Sequence, residues 1–254
     1  MKITILGSGT SAPRLDRNMS GYLLETSKKK ILFDTGPGTI RQLLKLKVNL
    51  LDIDHIFYTH LHNDHISDLP AIIWSNNYGT KRKKPLDLYG PKGFKKYCRI
   101  LIKKILNPEK LFYNVNVKEM KKNKIIKVLL NKKNYIRISS IKSKHTKNSI
   151  SYRIEYNNKS IVYSGDSIYS NEIIKISKNA DLLIIECSLP DNKKVADHLT
   201  PSLCGKIAAK ANVKKLVLTH MYPECDKVDV KKQCAKEFKG NIVLAKDFMK
   251  INVI

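Results

Sequence analysis

The stretch Thr59-His60-Leu61-His62-Asn63-Asp64-His65 constrains this chain more than any other feature. It holds three of the seven histidines and follows an apolar run over residues 55–58, which reads as a strand ending on polar Thr59. On a loop, imidazoles two residues apart can face the same way, and the Asp64-His65 pair can turn back toward them. Four nitrogen and oxygen donors then converge in one short turn, a set that suits Zn²⁺. A polar turn with idle histidines is the alternative. It accounts easily for one histidine and poorly for three plus an aspartate at this spacing.

The rest of the pattern supplies a frame for that turn. Strand-like runs cover residues 3–7, 21–25 and 30–34, and a helix-like stretch covers 39–46. Further strands are expected over 86–89, 125–130, 135–141, 150–156 and 160–163, the last two joined by an Asn157-Asn158 turn. Residues 118–124 read as a solvated basic loop. The C-terminal third alternates helices (171–178, 202–211, 230–238) with strands (182–186, 215–219, 241–244). Hairpins first and βα alternation later predict an α/β fold, an αββα sandwich with helices outside two sheets. No internal repeat or linker-like break divides the chain, so a single domain over 1–254 is expected.

Composition excludes some classes and leaves others open. At 254 residues and 42% hydrophobic the chain can bury a sizeable core. The opening Met1-Lys2-Ile3-Thr4-Ile5-Leu6-Gly7 is too short to be a signal peptide or a membrane span. Five cysteines, odd in number and with no CxxC pair, read as reduced thiols in a cytoplasmic protein. Cys225 and Cys234 as a metal pair is the weaker reading beside buried or idle thiols. The net charge of +26 comes from 48 Lys+Arg against 22 Asp+Glu. A nucleic-acid face, suggested by Lys81-Arg82-Lys83-Lys84, and a lysine-rich genome bias explain that charge about equally well.

With Phe33-Asp34-Thr35-Gly36 upstream, the HxHxDH pattern resembles the metallo-β-lactamase superfamily. Its later landmarks follow in order: a lone His145, Gly165-Asp166 closing one strand, and Leu218-Thr219-His220 closing another. The resemblance runs from residue 3 to residue 253. It implies one metal held by His60, His62 and His145, and a second held by Asp64, His65 and His220, with Asp166 bridging both. Two Zn²⁺ ions are expected, although such N/O donors also accept Mn²⁺ or Fe²⁺. Asp34 matches a buried carboxylate that orients the ligand loop by accepting an imidazole N–H. Its other reading is a strand-end aspartate capping the Gly36-Pro37-Gly38 turn. Two cations flanking a water lower its pKa and neutralise charge on the group under attack, so hydrolysis is the implied reaction. Asp64 would lie beside the resulting hydroxide and take its proton.

Three further segments resemble the ribonuclease Z and phosphodiesterase branch. They are Leu6-Gly7-Ser8-Gly9-Thr10, Tyr89-Gly90-Pro91-Lys92-Gly93, and His198-Leu199-Thr200 ahead of Leu218-Thr219-His220. In that branch the histidine matching His198 stabilises phosphoryl oxygens and protonates the leaving oxygen, which an alkoxide needs. Glu186 matches the acid that orients it; a solvated strand-end carboxylate is the equal alternative. Thr200 reads as an N-cap with Pro201 as the first helical residue, and His55 as an ordinary surface histidine. Two departures weigh against tRNA. Only twenty residues separate His145 from Asp166, too few for the RNA-gripping arm common there, and Leu15 stands where the branch's tRNA-sensing loop has a basic residue. The resemblance thus implies a phosphodiester hydrolase acting on RNA (such as a tRNA 3′ end) or on a small nucleotide, with a homodimer allowed. A metal- or nucleic-acid-binding module without activity is the reading of another class.

Overall fold

Short apolar runs, continuous in most cases and alternating in a few, recur along the chain, and in the computed structural model they become strands, most of them buried on both faces. The structure describes residues 1–121 and 125–253, so part of the loop expected over 118–124 lies outside the described residues. In chain order the strands are β1 (Lys2–Gly7), β2 (Gly21–Glu25), β3 (Lys30–Thr35), β4 (Ile53–Phe57), β5 (Leu86–Gly90) and β6 (Val115–Glu119), then β7 (Ile125–Leu129), β8 (Tyr135–Lys142), β9 (Ile150–Tyr156), β10 (Lys159–Tyr163), β11 (Leu182–Glu186), β12 (Lys215–Thr219), β13 (Asn241–Leu244) and β14 (Lys250–Asn252). They form two seven-stranded sheets, ordered β14-β1-β2-β3-β4-β5-β6 and β13-β12-β11-β10-β9-β8-β7.

Both sheets follow one plan. Each begins with antiparallel pairings, through β3 in one and β10 in the other, and continues with parallel ones. Short turns join β2 to β3 and β7 through β10. Asn157 and Asn158, at φ 51° and 57°, make the expected β9–β10 turn, a shape that asparagine tolerates well. The parallel part needs crossovers, and these supply the outer helices. They are α1 (Thr39–Lys45), α2 (Asn63–Ile66), α3 (Leu69–Trp74) and α4 (Phe94–Ile100) on the first sheet, and α5 (Asn171–Ser177), α6 (Pro201–Lys210) and α7 (Val230–Ala235) on the second. One core lies between the sheets, with Ile5, Phe33, Phe57, Tyr152, Ile161 and Val217 all buried. A core under each helical layer completes the αββα sandwich.

Several expectations are corrected. Val115–Glu119, partly assigned to the basic loop, is a strand, because β5 offers it a parallel partner. His55 is not an ordinary surface histidine: its side chain is 15% exposed and lies 3.5 Å from Asp87, and burial lowers its pKa. Arg82 is no part of an open basic face. It is 1% exposed and donates to Asp54 Oδ1 at 2.7 Å and to the carbonyls of Lys84 and Pro85. Thr200 and Pro201 stand at the N-cap and first position of α6, yet the Thr200 hydroxyl makes no cap bond. All five cysteines are buried free thiols, and Cys225 and Cys234 belong to no metal-ligating group among the described residues. No described helix is long and apolar enough to cross a membrane.

Candidate metal centre

Strands β3, β4, β8, β10, β11 and β12 all end at one edge of the sandwich, and these ends and the segments leaving them carry the candidate ligands together with Asp34, Glu186 and His198. This is the edge where open α/β sheets place their sites. From the first sheet come Asp34 and the turn His60–His65, with Asp64 and His65 on α2. The second sheet supplies His145 after β8, Asp166 after β10, Glu186 at the end of β11 and His220 after β12. Two glycines allow the close approach. A Cβ on Gly36 would meet the Asp64 carbonyl oxygen at 2.2 Å; one on Gly165 (φ 56°) would meet Thr59 Cβ at 2.6 Å.

Asp166 sits at the middle, 3% exposed. Its Oδ2 lies 3.6 Å from His60 Nε2 and 3.7 Å from His145 Nε2, and His62 Nδ1 is 3.1 Å from that same His145 nitrogen. Its Oδ1 lies 3.2 Å from His65 Nε2 and 3.5 Å from His220 Nε2, while Asp64 Oδ2 is 3.2 Å from His220 Nε2. Six of the donors divide into two sets, with one oxygen of Asp166 facing each, and His198 also comes within 4.8 Å of Asp166 and His220, and of His145 and Asp197. Both sets fit divalent cations. His60 Nε2 and Asp166 Oδ1 are buried with no hydrogen-bond partner. Ligand bonds of about 2.0–2.1 Å in a tetrahedron put ligand atoms about 3.3 Å apart, within the spacing found here.

The other nitrogen of four of these imidazoles has a partner that fixes the tautomer. His60 Nδ1–H donates to the Thr59 hydroxyl at 3.0 Å, and that hydroxyl donates to Asp34 Oδ2. His65 Nδ1–H donates to Asp34 Oδ2 at 2.8 Å, His145 Nδ1–H to the Asp197 carbonyl at 3.0 Å, and His220 Nδ1–H to Ser188 Oγ at 3.1 Å. Asp34 is fully buried and also accepts from Thr59 N and Tyr163 OH. It does not cap the turn that follows: Gly38 N and Ile40 N donate to Asp68, and Thr39 N to the Gly36 carbonyl. Glu186, 1% exposed, is not a solvated carboxylate either. It accepts from His198 Nδ1–H at 3.0 Å, Ser188 Oγ–H at 2.6 Å, and the backbone of Ser167 and Leu199. Residue patterns did not single out Thr59, Tyr163 or Ser188, although Ser188 joins Glu186 to His220.

Charge follows the same division. Burial holds His60 well below the usual imidazole range, helped by neighbouring His65. Burial opposes the charge of Asp64, but the hydrogen bond from His220 and the nearby histidines hold its carboxyl at about 2. Burial likewise opposes a charge on His65, which Asp166 and Asp34 nevertheless draw well above the usual range. Buried carboxylates thus demand positive charge where divalent cations would sit. His198 borders both sets, its ring 5.1 Å from that of His145 and 5.8 Å from that of His220; against the effect of burial, the hydrogen bond and charge of Glu186 push it up to about 9.

A family model described as a beta-lactamase superfamily domain matches residues 29–221. A ribonuclease Z of Methanosarcina mazei is 26% identical over 307 aligned positions, covering 100% of this chain and 98% of that protein. Those 307 positions exceed the 254 residues here, so that relative carries internal segments absent from this chain. Among solved structures, the metallo-beta-lactamase fold protein YhfI of Bacillus subtilis superposes with a TM-score of 0.84 at 24% identity, covering 98% of each chain. The short form of human tRNase Z superposes at 0.78, also at 24% identity, over 100% of each chain.

Proposed function

The chain belongs to the β-lactamase superfamily, and from that premise we propose that it is a metal-dependent phosphodiester hydrolase of the ribonuclease Z kind, acting on RNA. One observation carries this reading: a histidine hydrogen-bonded at 3.0 Å to a buried glutamate stands beside a twin set of ligands that shares one aspartate. His60, His62 and His145 would hold one ion, and Asp64, His65 and His220 the other, with Asp166 between them. Two divalent cations there, zinc by preference and manganese or iron by tolerance, would supply Lewis acidity and a water of lowered pKa. Asp64, ionised at any working pH, accepts a proton from the attacking water. His198 donates one from Nε2 to the leaving ribose oxygen, while Glu186, fixed by Ser167 and Leu199, keeps its Nδ1–H turned inward. Five unpaired buried thiols suit a reducing cytoplasm.

A small nucleotide substrate is the second reading, favoured by the hairpin β9–β10. It fills the chain between His145 and Asp166 and leaves no residues for an RNA-gripping arm. Purified zinc-loaded protein incubated in parallel with precursor tRNA, 2′,3′-cyclic nucleotides and bis(p-nitrophenyl) phosphate separates the two. Cleavage of precursor RNA by protein carrying about two metals per chain is expected. Turnover of cyclic nucleotides alone moves the proposal to the second reading. A metal content that reconstitution cannot raise, with no hydrolysis of any substrate, overturns both.

A further inference from the structure

Away from the metal centre, Trp74 at the end of α3, Tyr78 and Phe112 are 45%, 40% and 46% exposed, with ring centroids 4.6 Å apart for the first pair and 6.3 Å for the second. Lys83 Nζ and Lys110 Nζ lie over the Phe112 ring at 5.9 and 5.8 Å. We propose that this aromatic and basic cluster is a stacking platform for single-stranded nucleic acid, engaging an unpaired stretch of the RNA whose cleavage is proposed above; it rests on that reading for the identity of the substrate.

Three observations point to a built surface. Buried Asn77 clamps the two halves together: its Nδ2 donates to the Lys110 carbonyl at 2.8 Å and its Oδ1 accepts from Phe112 N at 2.8 Å. Buried Arg82, tied to Asp54 and to the Lys84 and Pro85 carbonyls, holds the lysine loop beside it, and its N–H donates to the Asn76 carbonyl. Tyr78 lies on a π-helical turn, Ser75–Gly79, a form of helix found disproportionately at functional sites. The aromatic faces are thus fixed in place while remaining in water.

Charge selects the occupant. Lys81, Lys83, Lys84 and Lys110 edge the cluster and are exposed, which suits a polyanion whose bases stack on aromatic faces. A second copy of the chain docked through the same patch would bring those lysines against one another. The location suits a substrate that continues into the centre. Only Ser67 and Asp68 separate α2, which carries His65, from α3, which ends at Trp74. At about 1.5 Å per helical residue the two side chains attach within roughly 14 Å along the chain, the length of about four stacked nucleotides. Stacking reads no particular base, so little sequence preference is expected.

Trp74 is the only tryptophan in the chain, so its emission reports on this patch alone. The holoenzyme is titrated with a uridylate dodecamer joined by phosphorothioates, which keep the charge and slow cleavage, while fluorescence anisotropy of a labelled copy measures total binding. Saturable quenching of Trp74 that tracks the anisotropy is expected. Tyr78→Leu and Phe112→Leu should each weaken binding roughly five- to a hundred-fold, and Lys83→Glu with Lys110→Glu should reduce the slope of log K against log salt by about 1.4. Thermal unfolding of each variant checks the fold, and the charge variants keep the test intact if the leucine variants misfold. Binding without quenching, or no binding, overturns the platform. So does emission that varies with protein concentration while light scattering shows doubled mass, which would make the patch an interface between copies. Loss of hydrolysis with quenching intact would sink the hydrolase reading alone; loss of quenching with RNA cleavage intact would sink this one alone.

Discussion

His198 and Glu186 form the pair on which chemistry and pH dependence meet. The folded value of about 9 exceeds the ordinary 6.5 of a free imidazole. A group raised in this way contributes stability that is fully present below about 6.5 and lost as pH rises through about 9. The acid form needed to protonate a leaving oxygen persists over the same range. His198→Ala should therefore lower turnover by roughly 10²–10⁴ and leave metal content intact, since each proposed ion keeps its full set of ligands without it. Glu186→Gln removes the charge but keeps an acceptor, so the alkaline limb of kcat should move toward neutral pH. A pH–rate profile and elemental analysis check both; an unmoved alkaline limb, or lost metal in His198→Ala, would mean the pair has another job. At this scale the centre was largely legible. Ligand candidates betray themselves because several imidazoles in one turn have few other uses. Their supports do not. Tyr163 reaches Asp34 across 129 residues of sequence, and Ser188 reaches His220 across 32. A lone hydroxyl beside a strand end looks the same whether it fixes a tautomer or meets water.

Most strands were readable because each alternates or runs apolar between clear breaks, as in Leu182–Glu186, buried along its whole length. Three of the elements missed are very short, whereas α4 (Phe94–Ile100) was missed despite its length. Helices α2 and α3, of 4 and 6 residues, are too short for a helical period to show, and α2 spends two residues on ligand candidates. The last strand, Lys250–Asn252, is only 3 residues long, and its pairing with β1 decides it, not its own pattern. Arg82 misled for the opposite reason. In sequence it belongs to a cationic run, but its guanidinium finds Asp54 and backbone carbonyls and turns inward. Gly165 shows how strictly an element can bind a site. Its φ of 56° and its closeness to Thr59 set where Asp166 leaves β10. Gly165→Ala should cost roughly 2–3 kcal/mol through strain and overpacking, read as a lowered denaturation midpoint in urea. It should also weaken metal binding, because Asp166 and Thr59 can no longer approach. An alanine variant with unchanged midpoint and metal affinity would show that the backbone relaxes there at no cost.

Across the whole molecule, the proposed ligands bind the sandwich together, since His60, His62, Asp64 and His65 leave one sheet and His145, Asp166 and His220 leave the other. Cations held there would couple the sheets, and chelation should lower the thermal midpoint by roughly 5–10 °C per ion held at a hundred times its Kd. Calorimetry with and without chelator checks this; an unchanged midpoint in protein shown to have lost its metal would deny the coupling. The net charge of +26 acts over a longer range. Two sources of affinity can be told apart by salt. Contacts between lysines and phosphates release counterions, so each lowers log K by about 0.9 per decade of salt on duplex and about 0.7 on single strands. A small diester such as bis(p-nitrophenyl) phosphate is held at the proposed metal centre, in a buried site where screening is weak. RNA cleavage under kcat/KM conditions should therefore fall steeply between low and physiological salt, while turnover of the small diester stays nearly constant. Replacing Lys81, Lys83 and Lys84 with Glu should flatten the RNA slope by about two to three, roughly 0.7–0.9 for each lost phosphate contact. Should precursor tRNA be cut at one position with a slope near zero, the lysines would be bystanders, and recognition would have to come from shape instead of charge.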